Sequence, residues 1–363
     1  MNILEFMEQK KDLHQSFLDY IDCVDENESI EIYNNFFNLF NSQKIGKSQS
    51  ELKDFLLFVL RIANNYHRSA NFYSKIDNFL LEIRDSIKNF FSPETLFSIF
   101  KSNHRLLLFL YQYFFPPTIK LPIPEYSCHN YTEFLALELR GCYDTNDPRY
   151  DNYIENRLIG ENESKIAKII QKDLIKEFVF FTNLNNIKLE EERIKESIYE
   201  TNYFLIGKMP SLIEYAFFYG AIKIVKYLFH NDVDLTPSLW LYCIHSNNPE
   251  LLHFLEDSYA ERNSNIYLDC VREAIFCHHI GMANYLLNNI ESNLIDYSIY
   301  SLAIKERDYF HFPDNFDNDK LFYDLCIYEY PSLIECISKE PSQKVDYYKA
   351  AMISLNKREI DIP

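Results

Sequence analysis

The sequence predicts an all-α protein: an N-terminal helical domain followed by a solenoid of stacked helix pairs. Three observations predict it. Glycine is scarce, at 6 in 363 residues, which disfavours folds built on many positive-φ turns and costs a helical protein nothing. Apolar residues recur at helical spacing, and no useful length of chain alternates with period two. The C-terminal half repeats itself, the signature of a repeat architecture.

The elements follow in order. Leu4, Met7, Phe17, Leu18 and Ile21 lie on one stripe and predict a helix over residues 2–23. Ile32, Phe36, Phe37 and Phe40 do the same over 29–40. Ser48 and Glu51 have the spacing of a capping box ahead of the apolar run 55–62. A further helix is expected near 73–91. Ser92, Pro93 and Glu94 start the next one: a cap, a proline at the first helical position and an acid in the first turn. Five prolines between Pro116 and Pro148 interrupt the helices and mark a boundary, with room for a short helix over 131–139. The reading is thus an N-terminal helical domain at 1–118, a Pro-containing linker at 119–152 and degenerate repeats at 153–363.

The repeats carry the strongest signal. Pro210, Ser211, Leu212, Tyr215 and Ala216 reappear 27 positions later as Pro237, Ser238, Leu239, Tyr242 and Cys243. At the same offset Gly220 meets Asn247, Val225 meets Leu252, and Leu228 meets Leu255. A looser copy contains Ala274, His278, Met282 and Leu286, and Pro331 to Ile337 echoes Pro249 to Leu255. Ile169, Asp173 and Phe178 form an earlier, weaker candidate. In such a unit a small residue on the first helix lets the second pack close, and an αL-tolerant residue reverses the chain. One pair cannot bury its own apolar face, so neighbours must stack. The expected repeat core is therefore Leu212, Ala216, Gly220, Val225, Leu228, Leu239, Cys243, Leu252, Leu255, Ala274, Met282 and Leu286.

At these residues the chain resembles ankyrin-repeat proteins. Thr236, Pro237 and Leu239 resemble that family's T-P-L-H start, and the stretch from Ala216 through Gly220 and Val225 to Leu228 resembles its central A-A-x-x-G segment. It is more similar still to a divergent, uncharacterised ankyrin-like set, expanded in some flagellate protists, that carries a domain of unknown function. The segments bearing that likeness are Asn64 to Ser69, Ile99 to Arg105, Ile159 to Ser164, Glu200 through Leu255, and Cys277 to His279. The resemblance implies protein binding through a concave surface and implies no catalytic residue. The histidine of T-P-L-H is absent, and a spacing of 27 leaves little room for long β-turn fingers.

Composition sets further bounds. A formal charge of −18 repels phosphate backbones and anionic lipid, so neither nucleic acid nor a membrane surface is expected as partner. Eight cysteines without a C-x-x-C pair, and an N-terminus without a basic leader, point to a reducing, cytoplasmic setting with no signal peptide or membrane span. An AT-rich coding sequence accounts for 28 Tyr and 30 Phe more readily than a sticky surface does.

The neighbours Cys277, His278 and His279 project about 100° apart on a helix, and no second Cys/His pair stands at ligand spacing, so no metal centre is expected. No phosphate-cradling glycine loop is present, and no cofactor or small-molecule ligand is expected. Cys128 and His129 in the linker are the best candidates for thiol chemistry in a cleft between the halves. Trp240, the single tryptophan, is either a core residue or a partner contact. The expected function is a non-catalytic adaptor or scaffold that binds a protein partner. Self-assembly is the alternative, suggested by a C-terminus, Tyr348 to Pro363, that reads as a repeat cut off after its first helix.

Overall fold

Side-chain caps begin several of the helices, and αL residues follow the ends of several. Ser92 accepts the Thr95 N–H at 3.3 Å, with Pro93 at the first position. Ser48 accepts from Glu51 N–H at 3.4 Å, but the Glu51 carboxylate pairs with Lys10 instead of closing the box. Asp25 accepts from the N–H groups of Asn27 and Glu28, which starts the second helix three residues earlier than its apolar stripe suggests. The computed structural model describes residues 3–69, 71–116, 134, 152–258, 264–290, 295, 297–313 and 319–338. The linker 119–152 with Cys128 and His129, apart from Phe134 and Asn152, lies outside the described residues, as does the C-terminus beyond 338.

The described residues form nineteen α-helices and no strand. In the first stretch these are α1 (Ile3–Asp22), α2 (Glu26–Ser42), α3 (Gln49–Asn65), α4 (Phe72–Glu82), α5 (Arg84–Phe90), α6 (Pro93–Phe100) and α7 (His104–Phe114). The helix expected over 73–91 is thus two, α4 and α5, separated at Ile83. Next come α8 (Tyr153–Ile159), α9 (Lys165–Gln171), α10 (Ile175–Leu184), α11 (Leu212–Phe218), α12 (Ile222–His230), α13 (Leu239–Ser246) and α14 (Pro249–Ser258). The chain continues as α15 (Ser264–Phe276), α16 (Ile280–Asn288), α17 (Tyr297–Glu306), α18 (Asp319–Ile327) and α19 (Pro331–Ser338). None is long and apolar enough to cross a membrane.

Six turns share one geometry. Asp173, Gly220, Asn247, His278, Arg307 and Glu329 each adopt positive φ, between 48° and 68°. Each sits directly after the first helix of a pair. In five of the six, the next residue's N–H bonds the carbonyl five positions back: Leu174 to Ile169, Ala221 to Ala216, His279 to Ala274, Asp308 to Ala303 and Tyr330 to Leu325. This is the Schellman closure, which satisfies the carbonyls that a helix end leaves open. Around it, Ala216, Ala274 and Ala303 are fully buried, because only a small side chain lets the second helix approach the first.

The described helices divide into two compact units, each discontinuous in sequence. One takes in the described parts of 1–59, 69–90 and 289–363; the other takes in those of 60–68 and 91–288. This grouping differs from the three consecutive segments 1–118, 119–152 and 153–363, and the reason is packing within the first unit. There α1 lies against α19 and the short 3-10 turn Tyr309–His311. Arg307, the turn residue of the fifth pair, forms a buried ion pair with Asp54 of α3, and Tyr309 donates to the same carboxylate at 2.7 Å. Arg307 also stands 4.5 Å from the Tyr330 ring centroid. The last helix pairs are therefore covered by N-terminal helices of the same unit. Its core is aromatic: Phe17, Phe36, Phe55 and Phe79 meet with centroids 5.2–6.0 Å apart, mostly edge to face, as ring quadrupoles prefer.

In the second unit the first helices stack on one another: α11 packs on α13, and α13 on α15. The residues read as repeat core are where this stacking needs apolar surface. Leu212, Ala216, Val225, Leu228, Leu239, Cys243, Leu252, Leu255, Ala274, Met282 and Leu286 are all buried. Gly220 is the turn residue and half-buried, with φ 68°. Ser211 and Glu214 form a reciprocal capping box at the start of α11.

Candidate functional site

The segments singled out in the sequence converge in the second unit on a buried polar junction. Helix α3 ends in the buried Asn64 and Asn65, and the Asn64 side chain is satisfied from other elements. Asn103, the N-cap of α7, donates to Asn64 Oδ1 at 2.8 Å while its own Oδ1 accepts from Leu106 N–H. The backbone N–H of Tyr203 reaches the Asn64 carbonyl at 2.9 Å. Arg68 donates to the carbonyls of Ala63 and Tyr66, each at 3.0 Å, and to Thr201 Oγ1 at 3.1 Å. Thr201 in turn donates to the Gly160 carbonyl at 2.6 Å. Segments 64–68, 102–103, 160 and 200–204 are thus tied together by asparagine, threonine and arginine.

Glu200 and Glu161 add charge to this junction. Glu200 Oε1 accepts from the N–H groups of Thr201 and Asn202 at 2.9 and 2.8 Å. Burial pushes its carboxyl up to about 7, with Arg68 pulling the other way. Burial also raises Glu161. Glu200 lines a cavity of about 10 Å³ with Asn162, Ser197 and Tyr215, room for no more than one water. A carboxyl poised near neutrality resembles a general acid, but a cavity of that size admits no substrate.

A second cluster is built on the stacked helices α13 and α15. Glu273 and Cys277 are four residues apart, so they share a helix face. His245, on the preceding first helix, faces both. Its Nε2 is 2.7 Å from Glu273 Oε1, and Cys277 Sγ lies 3.3 Å from its Nδ1. A carboxylate oxygen only accepts, so Nε2 carries the proton and Nδ1 receives the thiol S–H. His245 and Cys277 are fully buried, and the Glu273 side chain is 21% exposed. Burial holds the imidazole below its ordinary pKa, against the pull of Glu273. The rings of Phe204 and Phe218 enclose it at 4.1 and 5.1 Å. The order thiol, imidazole, carboxylate is that of an activated nucleophile, but a thiol without exposure meets no substrate.

A histidine pair adjoins this cluster. The Ile244 carbonyl accepts from His279 Nδ1 at 2.9 Å, which leaves Nε2 of His279 to accept from His67 Nδ1 at 3.1 Å. Burial, with His67 adding to it, keeps His279 neutral far below its ordinary pKa.

The sequence reading missed the gathering of His245, Glu273 and Cys277 because it looked for a second Cys/His pair along the chain. The Glu273–Cys277 spacing, taken with a histidine one repeat earlier, is the signal that points to it. Trp240 is 1% exposed and packs on Tyr267 with centroids 5.5 Å apart, so the described surface holds it as core and not as a hot spot. Fold and junction together define an all-helical protein of tandem helix pairs. Comparison with protein-family models, curated proteins and solved structures finds no match to this chain.

Proposed function

We propose that the chain is a non-catalytic adaptor or scaffold, a divergent ankyrin-like module that binds a protein partner on the face of its second helices. One observation carries this reading. On α10, Phe180 and Leu184 stand one turn apart and are 69% and 67% exposed. Helix α12, the corresponding helix of the next pair, packs beside α10, and its Phe229 is exposed as well, beside Phe254 of α14. Large apolar side chains held in water one turn apart cost solvation in an isolated chain, and exposed apolar surface of this kind marks protein interfaces. Ankyrin-like stacks offer a broad, semi-rigid surface suited to such binding. The junction of asparagines and arginine serves as a positioning device, fixing Gly160 and the segment 200–204 against the ends of α3 and α7.

The test uses the full chain, because a fragment beginning near 157 would strip α19 and the 3-10 turn Tyr309–His311 of the α1 packed on them. The double variant Phe180→Asp, Leu184→Asp alters exposed positions and should change unfolding free energy by no more than about 0.5 kcal/mol. It should lose the proteins that the unaltered chain captures from a lysate. A partner set retained in full by the variant sinks the assignment of this face. Light scattering on the same pair of chains distinguishes a different protein from a second copy of this one.

A further inference from the structure

We propose that His245, Glu273 and Cys277 form a binding site for Zn²⁺, with an imidazole nitrogen, one carboxylate oxygen and the thiolate as ligands. Their candidate ligand atoms all lie within 4.8 Å of one another. Zinc bonds of about 2.0–2.3 Å in tetrahedral array place ligand atoms roughly 3.3–3.8 Å apart. Sγ is 3.3 Å from Nδ1 and 3.9 Å from Nε2 of His245, which spans that range. The nitrogen-to-oxygen distance of 2.7 Å is a hydrogen bond and must widen by roughly half an ångström as a metal enters, the ring proton passing to Nδ1 where Nε2 is the nitrogen that binds. Glu273 is the partly exposed member, so it is the one free to draw back, and its side is the ion's way in. A turn of the imidazole about its Cβ–Cγ bond brings one nitrogen's lone pair into the gap between sulfur and oxygen.

The chemistry of the donor set selects the ion. Thiolate with imidazole favours zinc over magnesium or calcium, which take oxygen ligands. Charge balance favours it too. The ion's two positive charges meet one thiolate and one carboxylate, so the buried site is neutral when loaded. Binding releases one proton, the thiol's, to solvent; the imidazole keeps its single N–H on the nitrogen that does not bind. Phe204 and Phe218, against the ring, exclude water from all but the Glu273 side. Three protein ligands leave a fourth position for water.

The test titrates the chelator-stripped full chain with Co²⁺, a spectroscopic stand-in for Zn²⁺. One equivalent should bring up a near-ultraviolet thiolate-to-cobalt charge-transfer band together with the visible bands of tetrahedral cobalt, and Zn²⁺ should abolish both. Cys277→Ser should remove the charge-transfer band. Should that variant fold poorly, Glu273→Gln, at the partly exposed position, leaves the core intact and should weaken Co²⁺ binding by about a hundredfold, at least as much as loss of an outer-shell partner. Absence of a charge-transfer band at one equivalent overturns the site. So does a band that survives Cys277→Ser, or an affinity unchanged by Glu273→Gln.

Discussion

At the scale of single residues, the chain uses buried polar groups as cross-ties, and each is only as good as its partner. Asp54 shows this in the first unit. Its carboxylate meets the Arg307 guanidinium and the Tyr309 hydroxyl, and all three residues are buried. Removing one member leaves the others desolvated and unpaired, which costs far more than the pair gains over an apolar replacement. Asp54→Ala should therefore lower the unfolding free energy by about 3–5 kcal/mol in urea titration. The double variant Asp54→Ala, Arg307→Met should recover a large part of that loss. Equal losses for the single and double variants would show that the cost lies in packing and not in the stranded charge. None of this was legible in the sequence: Asp54 and Arg307 are 253 positions apart, and neither sits in a pattern that marks a pair.

Helical elements were the most legible, because their signals are local. Stripes, and the cap at Ser92, placed the early helices to within a few residues, whereas the cap at Asp25 was not read. Turns were legible only where the residue announces itself. Gly220 and Asn247 tolerate αL and stood out, whereas Arg307 and Glu329 adopt the same conformation with side chains that seldom do so. The backbone closure at Ala303 and Leu325 enforces it there. Long-range grouping of elements was not legible at all: the covering of α19 by α1 depends on contacts that no local spacing encodes. The same logic hid His245 from Cys277, since stacking of first helices brings together residues a full repeat apart. A turn substitution tests the element-level account. A Cβ at Gly220 would have its nearest neighbours at 3.6 Å, ordinary contact, so only the positive φ opposes a side chain. Gly220→Ala should cost about 1 kcal/mol and Gly220→Asn distinctly less, read from urea midpoints at constant slope. Equal costs for the two would mean that crowding, and not handedness, governs this turn.

At the scale of the whole molecule, a chain of charge −18 keeps carboxylates and imidazoles buried in its second unit, so its stability depends on pH in two opposed ways. Burial lowers His104 to about 4, and holds His245 and His279 below their ordinary value. A base whose folded pKa lies below its unfolded one contributes fully above the unfolded value, near 6.5, and loses that contribution as pH falls toward the folded value. Glu200 acts in the other sense. Burial raises it to about 7 against an unfolded value near 4.3, so the folded state prefers it neutral. Its cost is absent at pH 4, grows between about pH 4.3 and 7, and is complete above that. Glutamine is neutral throughout and its amide oxygen can still accept from Thr201 and Asn202. Glu200→Gln should thus raise the unfolding free energy at pH 8 by roughly 1–2 kcal/mol, discounted for the lost attraction of Arg68. At pH 4 it should change nothing. Urea titrations at the two pH values decide the matter. A gain of equal size at both would mean that the carboxylate's charge plays no part, and that Glu200 is held at the junction by its hydrogen bonds alone.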